Sequence, residues 1–388
     1  MLSAAARMRA RALARRIARL VGSEPSPPTR PGDPALYDPS GRTRALMSEA
    51  PLKLARALCG DRSLADWQAE AREKLAALTG FESGRPHRPP VIHDAPYVGP
   101  EGYRLREVVL RSASAQALPM MLVSSEQTSE SADARRRPVI LTLQGSNSGF
   151  HLSWGEKREP VDEVRIANGG AYALQAADLG FLAVALEMRC FGRRRERALP
   201  GRSPDPCIDQ ALHLMLTGRS LLGERATEVA TAVDWLRSEA DGLGVDPDRI
   251  YIMGQSAGGS VALYTTALDE RIAGALIAGS LGFVRETFGA RGDRSGQNVT
   301  PGLLQWMETD DVLALCAPRP VLALSGRADH IYPCAGVERV VASARSAWDS
   351  VGAADRLRAL GPDGPHRFYP EAAWPAFVDL IGSAERAS

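Results

Sequence analysis

The sequence predicts an α/β protein with a mostly parallel central sheet that carries helices on both faces, and with a small helical extension at the N-terminus. From residue 103 onwards, short apolar runs alternate with segments that have helical periodicity. The apolar run at 139–143 is continuous and bounded by turn residues, which is typical of a strand buried in a parallel sheet. The hydrophobic content of 44% is sufficient for a large globular core.

The first 42 residues predict a basic segment followed by a linker. Residues 1–23 contain six arginines and no acidic residue, and residues 22–42 contain six prolines. Four apolar side chains of the basic segment fall on one helical face: Leu13, Ile17, Leu20 and Val21. Three interpretations stay open for residues 1–23: peripheral contact with an anionic membrane or a partner, an organelle transit peptide, and a solvated tail.

Charge, cysteine usage and hydropathy exclude several classes of protein. The net charge is +1 for the chain and −5 once the six N-terminal arginines are left out, so nothing indicates a nucleic-acid partner. Five scattered cysteines without a Cys-x-x-Cys motif predict neither a disulfide framework nor a zinc site, and pairing of Cys190 with Cys207 stays open. We find no apolar run of about 18 residues and no secretory signal, so we expect a cytoplasmic protein.

Residues 43–98 are predicted to form a helical extension that packs as a cap on the main body. Two helices are predicted, over 43–59 and 63–79. The second begins with a capping box made by Ser63 and Asp66. Its apolar stripe consists of Leu64, Trp67, Ala71, Leu75 and Leu78.

The remaining domain, residues 99–388, is predicted to open with a hairpin and to continue as alternating strands and helices. The hairpin strands are 106–111 and 119–124, and the later strands are 139–143, 181–186, the run that starts at 250, 274–278, 320–324 and 357–360. The long helices are predicted at 222–238, directly after Ser256, at 336–350 and at 371–383. This alternation predicts a parallel sheet that is covered on both faces.

The most informative motif is Gly254-Gln255-Ser256-Ala257-Gly258, which lies between a β-branched run and an Ala-rich segment with helical spacing. In this strand–turn–helix context, Gly-x-Ser-x-Gly indicates a serine nucleophile on a strained turn. Glycines flank the serine because a Cβ at either position would collide with a neighbouring strand or helix. The backbone N–H of Ala257 is predicted to point at the negative charge that develops during the reaction.

A serine hydroxyl needs an adjacent base, and chain order selects that base and its acid. The expected order is serine, acid, histidine, with the groups collected at the carboxyl ends of parallel strands. His366 follows the last short strand and Asp329 follows the 320–324 strand. We therefore expect Asp329 to orient the His366 imidazole, with His330 and Asp363 as the alternatives.

The loop after the 139–143 strand is predicted to supply a second donor to the oxyanion hole. This loop reads Gln144-Gly145-Ser146-Asn147-Ser148-Gly149. Gly145 allows the backbone to turn sharply, and the main-chain N–H of Ser146 is the candidate donor.

These residues resemble the α/β-hydrolase superfamily, in the branch around acetyl xylan esterases and dienelactone hydrolases, over roughly residues 60–385. The matching blocks are Leu143-Gln144-Gly145, Glu187–Gly192, Gly218–Arg225, Asp246–Ile250, the nucleophile motif, Ala317-Pro318-Arg319-Pro320, Asp329 with Pro333, and His366. The family usually has His-Gly where this chain has Gln144-Gly145, and it commonly has Asp at the position of Glu187.

The resemblance implies a carboxylic ester hydrolase that forms an acyl-enzyme on Ser256 and needs neither a metal nor an organic cofactor. The implied substrate is a small-molecule ester with a short acyl group, often acetyl, on a sugar or natural product. The resemblance also implies that Arg189 shapes the pocket floor, and Gln144 is a candidate substrate contact. Residues in loops that are candidates for the pocket wall are Phe150, Trp154, Met215, Phe288 and Trp306.

Two other functions stay open at this point. One is a serine peptidase related to prolyl-oligopeptidase catalytic domains, although the large N-terminal propeller of that family is missing. The other is a non-catalytic binding protein with a hydrolase fold, because fold alone never secures function. The oligomeric state stays open as well.

Overall fold

A computed structural model describes residues 39–82, 88–112, 114–130, 136–291 and 295–386. The described residues fall into two units, which divide between Glu49 and Ala50. The expectations for the basic segment and for most of the linker fall outside the described residues. The predicted domain boundaries after residues 42 and 98 stay predictions.

The first described helix, α1 (Pro39–Ser48), corrects the prediction of a helix over 43–59. That helix ends at Ser48, and only a short 3₁₀ turn at Arg56–Leu58 follows. The physical reason is Pro51, since a residue that precedes proline is driven out of the helical region. Leu52 then adopts a positive φ of 44°, which no regular helix contains.

A nine-stranded sheet forms the centre of the second unit, in the order β1-β2-β3-β5-β4-β6-β7-β8-β9. The strands are β1 (Val91–Tyr97), β2 (Tyr103–Arg111), β3 (Ala117–Ser125), β4 (Arg137–Leu143), β5 (Leu182–Leu186), β6 (Val245–Gln255), β7 (Gly274–Ala278), β8 (Val321–Leu324) and β9 (Leu357–Leu360). The first three strands pair antiparallel and β3 joins β5 antiparallel. All pairs from β5 through β9 are parallel, so the predicted sheet is confirmed.

Strand β1 was not predicted from the sequence. Its first four residues are exposed, and Pro96 interrupts its pattern near the end. An edge strand of this kind has no alternation of buried and exposed apolar side chains that would reveal it. The other eight strands lie within a few residues of their predicted positions.

Helices cover both faces of the sheet. The helices of the second unit are α2 (Leu64–Thr79), α3 (Glu126–Glu130), α4 (Asp162–Arg165), α5 (Tyr172–Asp178), α6 (Ile208–Leu216), α7 (Leu221–Ser238), α8 (Ala240–Leu243), α9 (Ala257–Leu268), α10 (Val284–Arg291), α11 (Thr309–Ala314), α12 (Cys334–Asp349) and α13 (Pro370–Arg386). Buried residues of α2, α7, α9 and α12 share one hydrophobic core with one face of the strands. Buried residues of α5 and α13 form the core on the opposite face.

Helix α2 packs against the main body as predicted. The Ser63 side chain accepts a hydrogen bond from the Asp66 backbone N–H and caps the helix. On the buried side, the amide of Gln68 donates to the carbonyl oxygens of Ala314 and Ala317 at 3.1 and 2.8 Å. These bonds connect α2 to the segment that leads into β8. Separating the two would leave a buried amide without hydrogen-bond partners, which is energetically unfavourable.

None of the described helices is both long enough and apolar enough to cross a bilayer. All five cysteines are free thiols, so Cys190 and Cys207 do not form a disulfide in this structure.

Candidate active site

Ser256 occupies a strained turn between strand β6 and helix α9. Its φ is 55° and its ψ is −117°, a region that non-glycine residues rarely adopt. Such strain persists only when the surrounding structure enforces it, and it is concentrated at functional sites. The turn leaves the serine side chain on the wall of a cavity.

The glycines beside Ser256 are required by close backbone contacts. A Cβ on Gly254 would overlap the carbonyl oxygen of Gly258. A Cβ on Gly258 would overlap the carbonyl oxygen of Leu143, at the end of β4. Helix α9 therefore packs directly against the loop of residues 144–149, called the oxyanion loop below, as the motif predicts.

Asp329 lies in the loop after β8 and has a full set of hydrogen-bond donors. Its Oδ1 accepts from the backbone N–H groups of Ile331 and Tyr332, at 2.7 and 2.8 Å. Its Oδ2 contacts His366 Nδ1 at 2.6 Å and lies 3.0 Å from Ser325 Oγ, whose single hydrogen is shared with the Tyr332 carbonyl oxygen at 2.6 Å. Burial acts to raise the pKa of Asp329, but the bonds from His366, Tyr332 and Ile331 together outweigh it, so the pKa is lowered.

His366 lies in the loop between β9 and α13, and its two ring nitrogens have different partners. Because Asp329 is ionised and only accepts, we assign the ring hydrogen to Nδ1. The Nε2 atom then accepts from the Gln255 amide, whose Nε2 lies 3.3 Å away. The Tyr332 ring stacks on the imidazole with 6.4 Å between ring centroids.

The alternative acid and base have different surroundings. The Asp363 side chain is 96% exposed, and its nearest cation is Arg327, with Nε 3.4 Å from Oδ1. His330 lies on the cavity wall, next to the loop that holds Asp329. In the described part of the chain, Asp329 is thus the carboxylate in hydrogen-bond contact with His366.

Both predicted oxyanion donors lie at the cavity. Ala257 is the first residue of α9, where the backbone N–H groups of a helix point outward and favour negative charge. Ser146 follows β4 and is exposed at the same cavity. The structure therefore brings Ser256, His366, Ala257 and Ser146 to the wall of one cavity.

The cavity has a volume of about 810 Å³ and a mixed lining. Apolar walls come from Leu152, Tyr172, Phe288, Ile331 and Phe368. Two arginines, Arg165 and Arg367, also reach it. No aspartate or glutamate belongs to the lining in the described part of the chain. The space accommodates more than an acetyl group.

Three predicted substrate contacts lie away from the cavity wall. Gln144, the first residue of the loop after β4, is fully buried, and both of its amide atoms lack a partner among the described residues. Arg189 is buried in ion pairs with Glu228 and Glu224, at 2.7 and 3.1 Å. Trp306 lies instead under two surface lysines that sit 4.0 and 4.9 Å from its ring centroid.

The other candidate wall residues lie partly at the cavity and partly in the two hydrophobic cores. Phe288 lines the cavity. Phe150 and Trp154 pack edge to face in the second core, with 4.7 Å between ring centroids. Met215 packs against the first core. Buried Glu187 connects two loops, because its Oε1 accepts from the Phe150 backbone N–H at 3.1 Å.

Two glutamines at the site were not predicted from the sequence. Gln255 is the variable residue directly before Ser256, and its position in the motif was the available signal. Gln297 lines the cavity from a Gly- and Asn-containing loop, and its amide donates to Ser146 Oγ at 3.0 Å. No periodicity or motif marks Gln297, because the contact exists only in three dimensions.

No group of three or more His, Cys, Asp or Glu side chains is arranged to hold a metal ion within the ranges that the structure describes. A sequence-family model described as BD-FAE matches residues 217–277, which include α7 and the turn at Ser256. The Bacillus subtilis (strain 168) protein named "Putative hydrolase YtaP" is 25% identical over 296 residues, which is 76% of this chain and 92% of that protein.

Solved structures of carbohydrate esterases share the fold. A crystal structure titled "putative acetyl xylan esterase" from Bacteroides fragilis NCTC 9343 superposes with a TM-score of 0.66 at 19% identity, over 87% of this chain and 84% of that one. A glucuronoyl esterase from Solibacter usitatus superposes with a TM-score of 0.60 at 15% identity, over 86% and 98%. At these identities the likeness shows a common fold, which is that of the α/β-hydrolases.

Proposed function

We propose that this α/β-hydrolase-fold protein is a serine-dependent carboxylic ester hydrolase that forms an acyl-enzyme on Ser256. One observation carries the proposal: His366 and Ser256, the latter on a strained turn, lie on the wall of one cavity, and buried Asp329 contacts His366, in the chain order of the fold. The titles of the structurally similar proteins support the same chemistry, since they name acetyl xylan and glucuronoyl esterases.

The first step is acyl transfer. His366 Nε2 takes the proton of Ser256 as the hydroxyl oxygen attacks the ester carbonyl carbon. Asp329 remains ionised and stabilises the imidazolium that forms. The N–H groups of Ala257 and Ser146 donate to the carbonyl oxygen as it becomes an oxyanion. His366 then returns the proton to the leaving alcohol, and an acyl-enzyme remains.

The second step is hydrolysis of the acyl-enzyme. A water molecule enters the place of the alcohol, and His366 removes its proton while the water oxygen attacks the acyl carbon. The same oxyanion donors act again, and Ser256 recovers its proton when the carboxylic acid leaves. The residues described here perform every proton transfer in this scheme, so it requires no metal ion and no organic cofactor.

In this structure, the Nε2 atom of His366 is hydrogen-bonded to the side chain of Gln255. Its amide occupies the Nε2 lone pair of His366 that the first step requires. Catalysis therefore needs His366 to exchange Gln255 for Ser256, and hydrogen bonds of this kind commonly tighten only when substrate binds.

We propose an ester with a short acyl group, on a sugar or small natural product, as the substrate. The names of the similar esterases support this class. The polar groups among the lining residues suit a hydroxylated alcohol part, because a buried pocket specifies such a ligand through a few placed donors and acceptors.

The test is a panel of p-nitrophenyl esters of increasing acyl length, together with amino-acid anilides, assayed with the wild type and with Ser256→Ala. We expect turnover on acyl chains of four carbons or fewer, and a loss of several orders of magnitude in the variant. An unchanged melting temperature is the control, because Ser256 lies at the cavity wall. Retention of more than about a tenth of the activity would exclude Ser256 as the nucleophile, and activity confined to the anilides would favour the peptidase.

A further inference from the structure

We propose that the Ser146 side chain, and not only its main-chain N–H, donates a hydrogen bond to the oxyanion, and that Gln297 and Arg225 position it for this role. The inference rests on the proposed ester hydrolysis. It adds one catalytic group, the Ser146 hydroxyl, and two positioning residues that lie behind it.

The contact that carries this proposal joins the oxyanion loop to a distant part of the chain. Gln297 Nε2 donates to Ser146 Oγ at 3.0 Å. Gln297 is 7% exposed, whereas Ser146 is exposed to the cavity that also contains Ser256. The Ser146 hydroxyl oxygen thus accepts a hydrogen bond from the largely buried Gln297 and is also accessible from the cavity.

The orientation of the Gln297 amide follows from its other partner. Arg225 Nη1 lies 2.9 Å from Gln297 Oε1. A guanidinium group only donates, so the amide oxygen has to face Arg225 and the amide N–H has to face Ser146. The Cys207 thiol lies 3.6 Å from the same oxygen, which is consistent with an acceptor at this position.

This orientation determines the direction of the Ser146 hydroxyl hydrogen. The serine oxygen accepts from Gln297, so its own hydrogen must be donated elsewhere. Among the residues that the structure describes, no acceptor takes that hydrogen. The hydroxyl is therefore available to donate into the cavity, where an oxyanion forms beside Ser256.

Arg225 anchors the relay and supplies its charge. The side chain is 1% exposed, and its Nε and Nη2 donate to the carbonyl oxygen of Arg189 at 3.3 and 2.8 Å. Its remaining neighbours are the Cys207 sulfur at 3.3 Å from Nη2 and the Phe191 ring at 5.0 Å. Among the described residues, no carboxylate is a hydrogen-bond partner of this guanidinium group.

A buried cation at the start of a hydrogen-bond chain polarises the bonds that follow. The Arg225 charge makes the Gln297 amide a stronger donor, and that amide in turn makes the Ser146 hydroxyl a stronger donor. The benefit arises chiefly when the substrate oxygen becomes negative, so it lowers the barrier more than it strengthens substrate binding.

Ser146→Ala tests the hydroxyl while the main-chain N–H is kept. Loss of one oxyanion donor costs roughly 100-fold to 1,000-fold in kcat in other hydrolases. We expect a fall of about 10-fold to 100-fold in kcat for this neutral side-chain donor, with KM changed by less than about threefold. A trifluoromethyl ketone, which adds the serine to form an oxyanion, should bind more weakly by the same factor as kcat/KM falls.

Ser148→Ala is the matched control in the same loop. Its hydroxyl donates to Asp162 Oδ1 at 2.5 Å, and the residue is not part of the cavity lining. We expect its kcat to stay within about threefold of the wild-type value. An equal loss in both variants would assign the effect to loop geometry and overturn the proposal.

Gln297→Glu tests the relay. A glutamate accepts from Arg225 as before but cannot donate to Ser146, and it would draw the serine hydroxyl towards itself. We expect a loss similar to that of Ser146→Ala, and no further loss when the two substitutions are combined. Independent, multiplying losses would reduce Gln297 to a structural role.

The outcomes separate this inference from the proposed function. An active wild type, an inactive Ser256→Ala and a fully active Ser146→Ala would overturn the role of the hydroxyl and leave the esterase intact. A wild type without activity on any ester would overturn both.

Discussion

Asp329 and Asp363 are carboxylates of the same type in opposite surroundings. The Asp329 side chain is 1% exposed and contacts a histidine, a serine and two backbone N–H groups. The Asp363 side chain is in water. Several donors converge on Asp329, and they keep this carboxylate ionised and constrain its direction.

We expect Asp329→Asn to lower kcat on p-nitrophenyl acetate by roughly 1,000-fold to 10,000-fold, because an asparagine presents the wrong partner to the imidazole and favours the wrong tautomer. The matched control, Asp363→Asn, should stay within about twofold of the wild type, as expected for an exposed turn residue. The reverse ranking would transfer the role of the acid to Asp363.

At the residue scale, the motif and the chain order were sufficient to predict which groups come together. The structure brings Asp329 and His366 to 2.6 Å and places Ser256 on the wall of the same cavity, while their roles stay predictions until the variants are assayed. Gln297 was not predicted as a contact, because side-chain contacts between distant loops leave no pattern in the sequence.

At the scale of elements, two sets of hydrogen bonds stabilise the segment that leads into strand β8. Arg319 donates to five backbone carbonyl oxygens, those of Thr266, Asp269, Ile272, Leu315 and Cys316. It satisfies carbonyl groups that the end of α9 leaves without partners. This gives the Ala-Pro-Arg-Pro block a structural reason for its arginine.

The second set of hydrogen bonds forms the N-terminal cap of helix α11. Glu308 and Asp311 form a reciprocal capping box, in which Asp311 Oδ2 accepts from the Glu308 backbone N–H at 2.9 Å. Asp311 Oδ1 also accepts from the Arg56 backbone N–H at 2.7 Å. Burial, and then the neighbouring charge of Asp310, raise the pKa of Asp311 to about 7.

This raised pKa predicts a specific dependence of stability on pH. A carboxyl whose pKa is higher in the folded than in the unfolded state stabilises the fold at low pH, and that stabilisation is lost as pH rises from about 4 to 7. We expect the free energy of unfolding to fall between pH 5 and pH 7.5 by roughly 2 to 3 kcal/mol more in the wild type than in Asp311→Asn.

Urea unfolding at both pH values measures this difference. The control is Asp379→Asn on α13, because the Asp379 side chain is 60% exposed. It should retain the wild-type pH dependence. An unchanged pH dependence in Asp311→Asn would mean that this carboxyl titrates alike in the folded and unfolded chains.

At the scale of the whole molecule, charge is unevenly distributed along the chain, and the proposed reaction gives this distribution no role. Residues 1–23 hold six arginines and no acidic residue, and a Pro-rich stretch separates them from the rest of the chain. Peripheral membrane association through this segment, in a cytoplasmic protein, stays a proposal. Each arginine near an anionic surface contributes about 1 kcal/mol, and salt weakens the attraction.

We expect deletion of residues 1–35 to leave kcat/KM on a soluble ester unchanged and to abolish salt-sensitive binding to vesicles that contain anionic lipid. Replacement of the six arginines by glutamine, which keeps the chain length, is the matched control and should abolish binding equally. Absence of vesicle binding by the full chain at low salt would favour the solvated-tail interpretation. A lower turnover after deletion would show that the segment contributes to the catalytic body.

The sequence by itself determined the α/β sheet, eight of the nine strands that the structure describes, and the chain order of Ser256, Asp329 and His366, the predicted nucleophile, acid and base. These features are local, since strand periodicity, a glycine-flanked serine and the position of a residue after a strand are all read along the chain. Only the tertiary structure decided what lines the cavity. It buried Gln144 and Arg189, moved Trp306 to the surface side, and brought Gln297 from 151 positions away into contact with Ser146. The physical reason is that burial and hydrogen-bond partners depend on how loops pack against each other, and loop packing has no periodicity that a sequence can show.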